Sequence, residues 1–146
     1  MLGKIICLKA DLFKVMDLET KDTYDAKASG LFRLKKQDLK VGDIVVYDVL
    51  EENKAYITEI KKRINDLVRP PIANIDLAIV TMSVKEPNFN TNLLDRFLTI
   101  LSFNNIDVLI LFTKWDLLNI EEEKQIEELY KYYQTIGYKV MKSSTI

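Results

Sequence analysis

Four consecutive residues, Thr113-Lys114-Trp115-Asp116, place a hydroxyl, an ammonium and a carboxylate within one short stretch of chain. A single carboxylate can accept two parallel hydrogen bonds with its two oxygens. Guanine offers such a pair of donors, its ring N–H and its exocyclic amine, and adenine does not. Asp116 therefore has the chemistry to tell the two bases apart. Lys114, two positions earlier, can lay its aliphatic stem over a base plane. Thr113 can tie neighbouring loops through its hydroxyl, and Trp115 at the free position is read as packing on the neighbouring helix in preference to shielding the base. The spacing is a form of the guanine-recognition pattern Asn/Thr-Lys-x-Asp. The competing reading of Lys114 and Asp116 is a solvated turn that ends a strand. Ser143-Ser144-Thr145 stands further on, where a loop carrying a backbone N–H for the guanine oxygen is expected.

Other chemistries are excluded by composition. The 146 residues contain no His and one Cys, Cys7. Ser-His and Cys-His nucleophile pairs, a His general base and Cys/His zinc sites are all ruled out. One Cys forms no internal disulfide, which fits a reducing, cytoplasmic setting, and Cys7 is expected to point inward. No apolar run reaches the roughly 18 residues of a membrane span, and no signal peptide is indicated. Net charge is −1. Residues 1–68 carry 13 basic and 12 acidic groups and residues 69–146 carry 8 and 10, so any nucleic-acid contact has to come from a local patch.

The elements that must position these residues fall into two periodicities. Segments 4–10, 12–17, 23–28, 43–49 and 55–60 are strand-length, rich in Val, Ile, Tyr and Phe, and separated by polar turns. Five or six strands in this length predict a small antiparallel barrel, an OB-fold ahead of an SH3-like barrel. Arg69-Pro70-Pro71 disfavours regular structure, so 66–73 reads as a linker or a domain seam and the domains as 1–68 and 69–146. Beyond it, 75–81 is nearly all apolar, as expected of a strand buried on both faces. Leu93, Leu94, Phe97, Leu98 and Leu101 mark one helical face with Asn90 as its cap. The run 106–112 is a second buried strand. Asn119 caps a helix to about residue 133, with Glu121, Glu122 and Glu123 in its first turn. Gly137 suits its exit, and 138–141 begins a third strand. This βαβαβ order predicts a parallel sheet whose ligand lies at the strands' carboxyl ends.

Taken in order, several segments resemble one family. They are Gly30-Leu31-Phe32-Arg33, Val41-Gly42-Asp43-Ile44-Val45, Arg63-Ile64-Asn65-Asp66-Leu67-Val68-Arg69-Pro70-Pro71-Ile72-Ala73-Asn74-Ile75-Asp76, Asn92-Leu93-Leu94-Asp95-Arg96-Phe97-Leu98, Thr113-Lys114-Trp115-Asp116-Leu117-Leu118 and Ile136-Gly137-Tyr138-Lys139-Val140. The chain is similar to the circularly permuted GTPases that act in late maturation of the small ribosomal subunit, the ribosome small subunit-dependent GTPase A (RsgA) family. Ser29, Thr113 and Ser144-Thr145 depart from its usual residues.

The resemblance implies an OB-fold barrel followed by the first part of a permuted α/β P-loop-type GTPase domain. It implies GTP or GDP as ligand, with Thr113, Lys114, Asp116 and Ser144 at the guanine, and the small subunit with its 16S rRNA as partner. It also implies a cytoplasmic monomer that uses no membrane. Candidate RNA contacts are Arg33, Lys35, Lys36, Lys40, Lys61, Lys62 and Arg63, with Phe32 or Tyr56 as stacking groups; the competing reading makes the lysines solubilising loop residues and Phe32 and Tyr56 core or wall residues of the barrel. Asp95 and Arg96 are read as structural. The sequence has no Gly-x-x-x-x-Gly-Lys-Ser/Thr loop, so the polypeptide is expected not to hydrolyse GTP alone. It reads as a fragment or a truncated gene product, with magnesium and structural zinc confined to the missing C-terminal part. The competing function is a non-catalytic barrel module for RNA or ribosome whose guanine motif is vestigial.

Overall fold

The computed structural model describes residues 1–9, 12–28 and 38–144. The expected positions Ser29, Phe32, Arg33, Lys35, Lys36 and Thr145 lie outside the described residues. The chain divides into two compact units, Met1–Ile75 and Asp76–Ile146.

The first unit contains β1 (Leu2–Lys9), β2 (Leu12–Asp17), β3 (Thr23–Ala28), β4 (Ile44–Glu51) and β5 (Lys54–Ile60). They pair in the order β1-β2-β3-β5-β4, and β4 returns to β1, which closes a barrel. All pairs are antiparallel except β3 with β5. Strand alternation sends Val45 and Tyr47, and Ala55 and Ile57, to one face. With Ile5, Val15 and Ala26 they form the buried core. Gly3 is required by closeness: a Cβ there would meet Val15 Cγ1 at 2.4 Å. Cys7 is half-buried rather than inside the core. The register of β1 slips between Ile5 and Cys7, and this irregularity breaks the inward alternation.

Asp17 ends β2 and is 3% exposed. It accepts from Glu19 N at 2.8 Å, from Thr20 N at 2.9 Å and from the Tyr47 hydroxyl. The Tyr47 bond, then the two backbone N–H groups, hold its carboxyl below its ordinary value of 3.8. A lowered folded-state value means that the carboxylate stabilises the barrel fully above about pH 4. That contribution disappears as pH falls through the lower folded value. Asp17→Asn is therefore expected to lower the urea midpoint at pH 7, with the gap to the parent narrowing at pH 3. An equal gap at both pH values would show that Asp17 acts through packing and not through charge.

The segment 66–73 is not a free linker. It forms a hydrogen-bonded return that docks on the barrel and carries Pro70 and Pro71 at its exposed tip. Leu67 N donates to Ile72 O at 2.8 Å, and Ala73 N donates to Val41 O at 2.8 Å. Asn65 exchanges two bonds with the Ile75 backbone, and the Asn74 side-chain amide donates to Gly42 O at 2.9 Å. Gly42 has φ +92°, and a Cβ there would sit 1.9 Å from Ala73 O. The close approach needs glycine. Side-chain amides thus fasten this segment to the first compact unit, Met1–Ile75.

The second unit contains β6 (Leu77–Ser83), α1 (Thr91–Phe103), β7 (Asp107–Thr113), α2 (Ile120–Thr135) and β8 (Lys139–Lys142). The sheet runs β6-β7-β8 and is parallel throughout. Asn90 caps α1 by accepting from Leu93 N, and Asn119 caps α2 with a reciprocal Glu122 bond. The helices cover one face, where Met82, Ile110, Phe112 and Val140 meet Leu94, Leu98, Ile126 and Tyr133. The expectation that β6 is buried on both faces is corrected: Ile79 is 59% exposed and Leu77 48%. Successive right-handed crossovers without a reversal of strand order put both helices on the same side. Asp95 has the structural role read from sequence and accepts from the Tyr133 hydroxyl at 2.8 Å. No helix among the described residues is long and apolar enough to cross a membrane.

Candidate functional site

Parallel strands deliver their following residues to one edge of the sheet. Thr113 is the last residue of β7, and its hydroxyl donates to Met82 O at 3.4 Å. Its carbonyl accepts from Val84 N at 3.1 Å, so the ends of β6 and β7 are joined twice. Lys114 follows with φ +61°, a left-handed residue that turns the chain sharply. Its exposed ammonium bonds to the Glu86 carbonyl of the loop after β6. A single 3-10 turn, Trp115–Leu117, then carries Asp116 at the surface.

The loop after β8 closes the other side. Ser143 N donates to Phe112 O at 2.7 Å, and Trp115 N donates to Ser143 O at 3.4 Å. Ser144 Oγ donates to Asp116 Oδ1 at 2.7 Å. Thr113, Lys114, Asp116 and Ser144 are thus brought together at the carboxyl edge of the sheet. Lys114, Asp116 and Ser144 are all exposed to solvent there. A surface carboxylate of this kind can accept two parallel hydrogen bonds, and the Ser144 hydroxyl lies beside it.

The entry to α2 frames this edge. Glu122 accepts from Asn119 N at 2.9 Å and from Lys85 Nζ at 2.7 Å. The Asn119 bond first, and Lys85 second, lower its carboxyl below the ordinary range. The loop after β6 is thereby pinned to the N-terminus of α2. Behind the turn, Lys142, Tyr130 and Glu123 contact Trp115, and Glu127 pairs with Lys142; of these four the sequence pointed only to Glu123, as an acidic first-turn residue of α2. Their signals were faint but present. Lys142 pairs with Phe112 in the β7–β8 register, next to Trp115 in space. Positions 123, 127 and 130 recur at helical spacing on α2.

The proposed RNA contacts separate into distinct environments. Lys61 and Lys62 are exposed on the segment leaving β5, and Lys61 pairs with Glu59 at 2.9 Å. Arg63 instead faces the barrel, with Nε at 2.7 Å from Asp43 Oδ1 and Nη2 at 2.9 Å from Oδ2. Lys40 is engaged likewise, with Asp66 and with Leu67 O at 2.9 Å. Tyr56 is half-buried between the core residues Ala55 and Ile57 on β5. Among the described residues no three His, Cys, Asp or Glu side chains gather as a metal site.

Comparison with known proteins identifies the family. The RsgA N-terminal domain model matches residues 2–57 and the RsgA GTPase model matches residues 60–146. The small ribosomal subunit biogenesis GTPase RsgA of Bacillus pumilus (strain SAFR-032) is 42% identical over 147 residues, covering 99% of this chain and 49% of that protein. The protein of the same name from Staphylococcus aureus (strain MRSA252) is 47% identical over 117 residues, or 80% of this chain and 40% of that one. Two solved structures are similar. YloQ, described as a circularly permuted GTPase, superposes with TM-score 0.86 at 37% identity, covering 99% of this chain and 51% of that chain. YjeQ from Thermotoga maritima superposes with TM-score 0.89 at 29% identity, covering 98% and 51%. The chain spans about half the length of the relatives it matches.

Proposed function

The chain belongs to the RsgA GTPase family, and from that membership we propose that it carries the RNA-binding and guanine-recognising parts of a small ribosomal subunit biogenesis GTPase. The observation that carries this reading is the convergence of Thr113, Lys114, Asp116 and Ser144, with the Ser144 hydroxyl on the Asp116 carboxylate at 2.7 Å. The proposed ligand is GTP or GDP, whose base is held by Asp116. Phosphoryl transfer depends on positioning and neutralising phosphates, and the sequence contains no glycine-rich phosphate loop. The chain's own part is therefore base recognition. For hydrolysis with its magnesium, or for a structural zinc, the sequence offers no phosphate loop and the described residues no cluster of metal-ligating side chains.

The barrel's strand order, with β3 parallel to β5 and β1 paired to both β2 and β4, supports its assignment as an OB-fold. Its proposed partner is 16S rRNA in the small subunit, and the proposed setting is a cytoplasmic monomer. Residues 1–75 form the RNA-binding part and 76–146 the guanine part. Lys61 and Lys62 are the phosphate contacts of choice, because both are exposed and the Lys61 pair is with the exposed Glu59, while Arg63 and Lys40 are tied to Asp43 and Asp66 within the barrel unit.

Two measurements on the full chain test this reading. GDP is expected to bind in preference to ADP. Binding to small-subunit RNA is expected to weaken as salt rises. Lys61→Gln/Lys62→Gln is expected to flatten the plot of log affinity against log salt by roughly 0.7 to 0.9 for each lysine that meets a phosphate. An unchanged slope would remove both lysines from the interface, and equal affinity for GDP and ADP would remove the base site.

A further inference from the structure

Asp116 sits in a single 3-10 turn. One such turn has few internal bonds, here Leu117 N to Lys114 O at 3.1 Å and Leu118 N to Trp115 O at 3.2 Å. Ser144 stands just beyond the end of a four-residue edge strand. Yet a base that donates twice to one carboxylate needs the carboxylate and the facing loop at a constant spacing. The backbone contributes the short Ser143–Phe112 bond and a long one, 3.4 Å, from Trp115 to Ser143. The remaining fastening comes from side chains.

Lys142, directly before Ser143, lies with Nζ 4.0 Å from the ring centroid of Trp115, the residue directly before Asp116. The same ammonium is 4.7 Å from the Tyr130 ring centroid and pairs with Glu127. Trp115 is anchored in turn, since its Nε1 donates to Glu123 at 3.0 Å. Tyr130 meets it edge-on at 6.2 Å and donates its hydroxyl to Val140 O at 3.1 Å. Each member therefore touches α2, and the two loops that face the base are fixed against one helix. A cation over an indole face is the strongest form of this contact, and the Glu127 carboxylate keeps the cation in place.

We propose that Lys142 and Trp115 are positioning residues of the guanine site, acting as an ammonium–indole clamp that sets the spacing between the Asp116 carboxylate and the Ser144 loop. The inference rests on the reading of Asp116 as the guanine acceptor. It makes base discrimination depend on a cation that does not touch the base. Arg can keep the clamp, because a guanidinium stacks on aromatic faces and pairs with carboxylates. Neutral side chains cannot.

The test compares GDP with IDP, whose base lacks the exocyclic amine and makes one bond fewer to the carboxylate. In the full chain, Lys142→Ala is expected to lower GDP affinity about fivefold and IDP affinity by less, so that the preference for GDP narrows. Lys142→Arg is expected to retain the parent preference. Trp115 is the single tryptophan of the sequence, so its emission reports the clamp directly and should shift in Lys142→Ala but not in Lys142→Arg. General loosening of the fold would weaken both nucleotides alike. Lys142→Gln serves as a second neutral variant of near-native length if the alanine form does not fold. An unchanged GDP-to-IDP preference in the neutral variants, or the same loss in Lys142→Arg, overturns the clamp. A parent chain that binds GDP and IDP equally, with no change on Asp116→Ala, overturns the base site itself and the clamp's function with it.

Discussion

Asp116→Asn is expected to convert the base preference of the chain from guanine to xanthine. Asp116 presents two acceptor oxygens, which match the two donors on guanine's recognition edge. An asparagine presents one acceptor and one donor. Against guanine its amide N–H group meets the exocyclic amine, donor to donor, and one charge-assisted bond is lost outright. Xanthine keeps the ring N–H but has a carbonyl where guanine has the amine, so the asparagine pattern fits it. Leaving a polar group of the site unmatched costs more than losing a contact to water. The loss for GDP is therefore expected to be about 100-fold, or roughly 3 kcal/mol, with XDP gaining over its weak binding to the parent. Titrations of GDP and XDP into the parent and variant full chains measure both arms. An unaltered GDP affinity in Asp116→Asn would show that the carboxylate does not touch the base. Ser144→Ala, which removes the hydroxyl on Asp116 Oδ1, should lower GDP affinity by a smaller factor without changing the base preferred.

Much of this site was legible because its signals are local. An apolar strand, a turn with Lys and Asp, and a capped acidic helix succeed one another within about 30 residues, and each follows from short-range periodicity or capping. The structure retains them: Thr113 ends β7, and Asn119 caps α2. What escaped were features defined across the fold. Lys142 gains its meaning from Trp115 and Tyr130, which are 27 and 12 residues away in sequence. Simple alternation from Gly3 and Ile5 would carry Cys7 inward, and the register slip after Ile5 undoes it. The run beginning β6 looks buried on both faces, but the elements present cover only one, leaving Leu77 and Ile79 exposed with Met141 at 53%. The sequence encodes apolarity, and coverage depends on which segments fold over it. The segment around Pro70 and Pro71 shows the same limit. Its prolines signal a break, while the asparagines that fasten it to the barrel reveal themselves only when Asn65 meets Ile75 and Asn74 meets Gly42.

Arg63 carries the sharpest consequence of that limit, and Arg63→Ala is expected to destabilise the barrel unit by about 3 to 5 kcal/mol. As a basic residue beside Lys61 and Lys62 it reads as a phosphate contact. In the fold its guanidinium grips both oxygens of Asp43, which is 0% exposed. It also donates to Asp38 O at 2.6 Å and approaches Asp66 at 3.3 Å. The Asp43 bond, chiefly, raises the Arg63 pKa further above its ordinary value. Removing Arg63 leaves Asp43 charged and buried with the Lys40 backbone N–H as its remaining donor among these contacts, and an uncompensated buried charge is what makes breaking such a pair costly. The reverse substitution, Asp43→Asn, should cost less, because Arg63 is partly exposed and keeps Asp66 and Asp38 O. Lysine at position 63 should rescue little, since a point charge cannot reproduce the two-pronged grip. Hydrogen exchange of the full chain measures this directly. Protection should fall at the core amides of Ile5 and Val45 and persist at Ile110 in the second unit. If Arg63→Ala leaves barrel protection intact while flattening the salt dependence of RNA binding, Arg63 is a phosphate contact after all. If protection collapses, its charge is committed to the fold, and the exposed lysines beside it are left to meet the RNA.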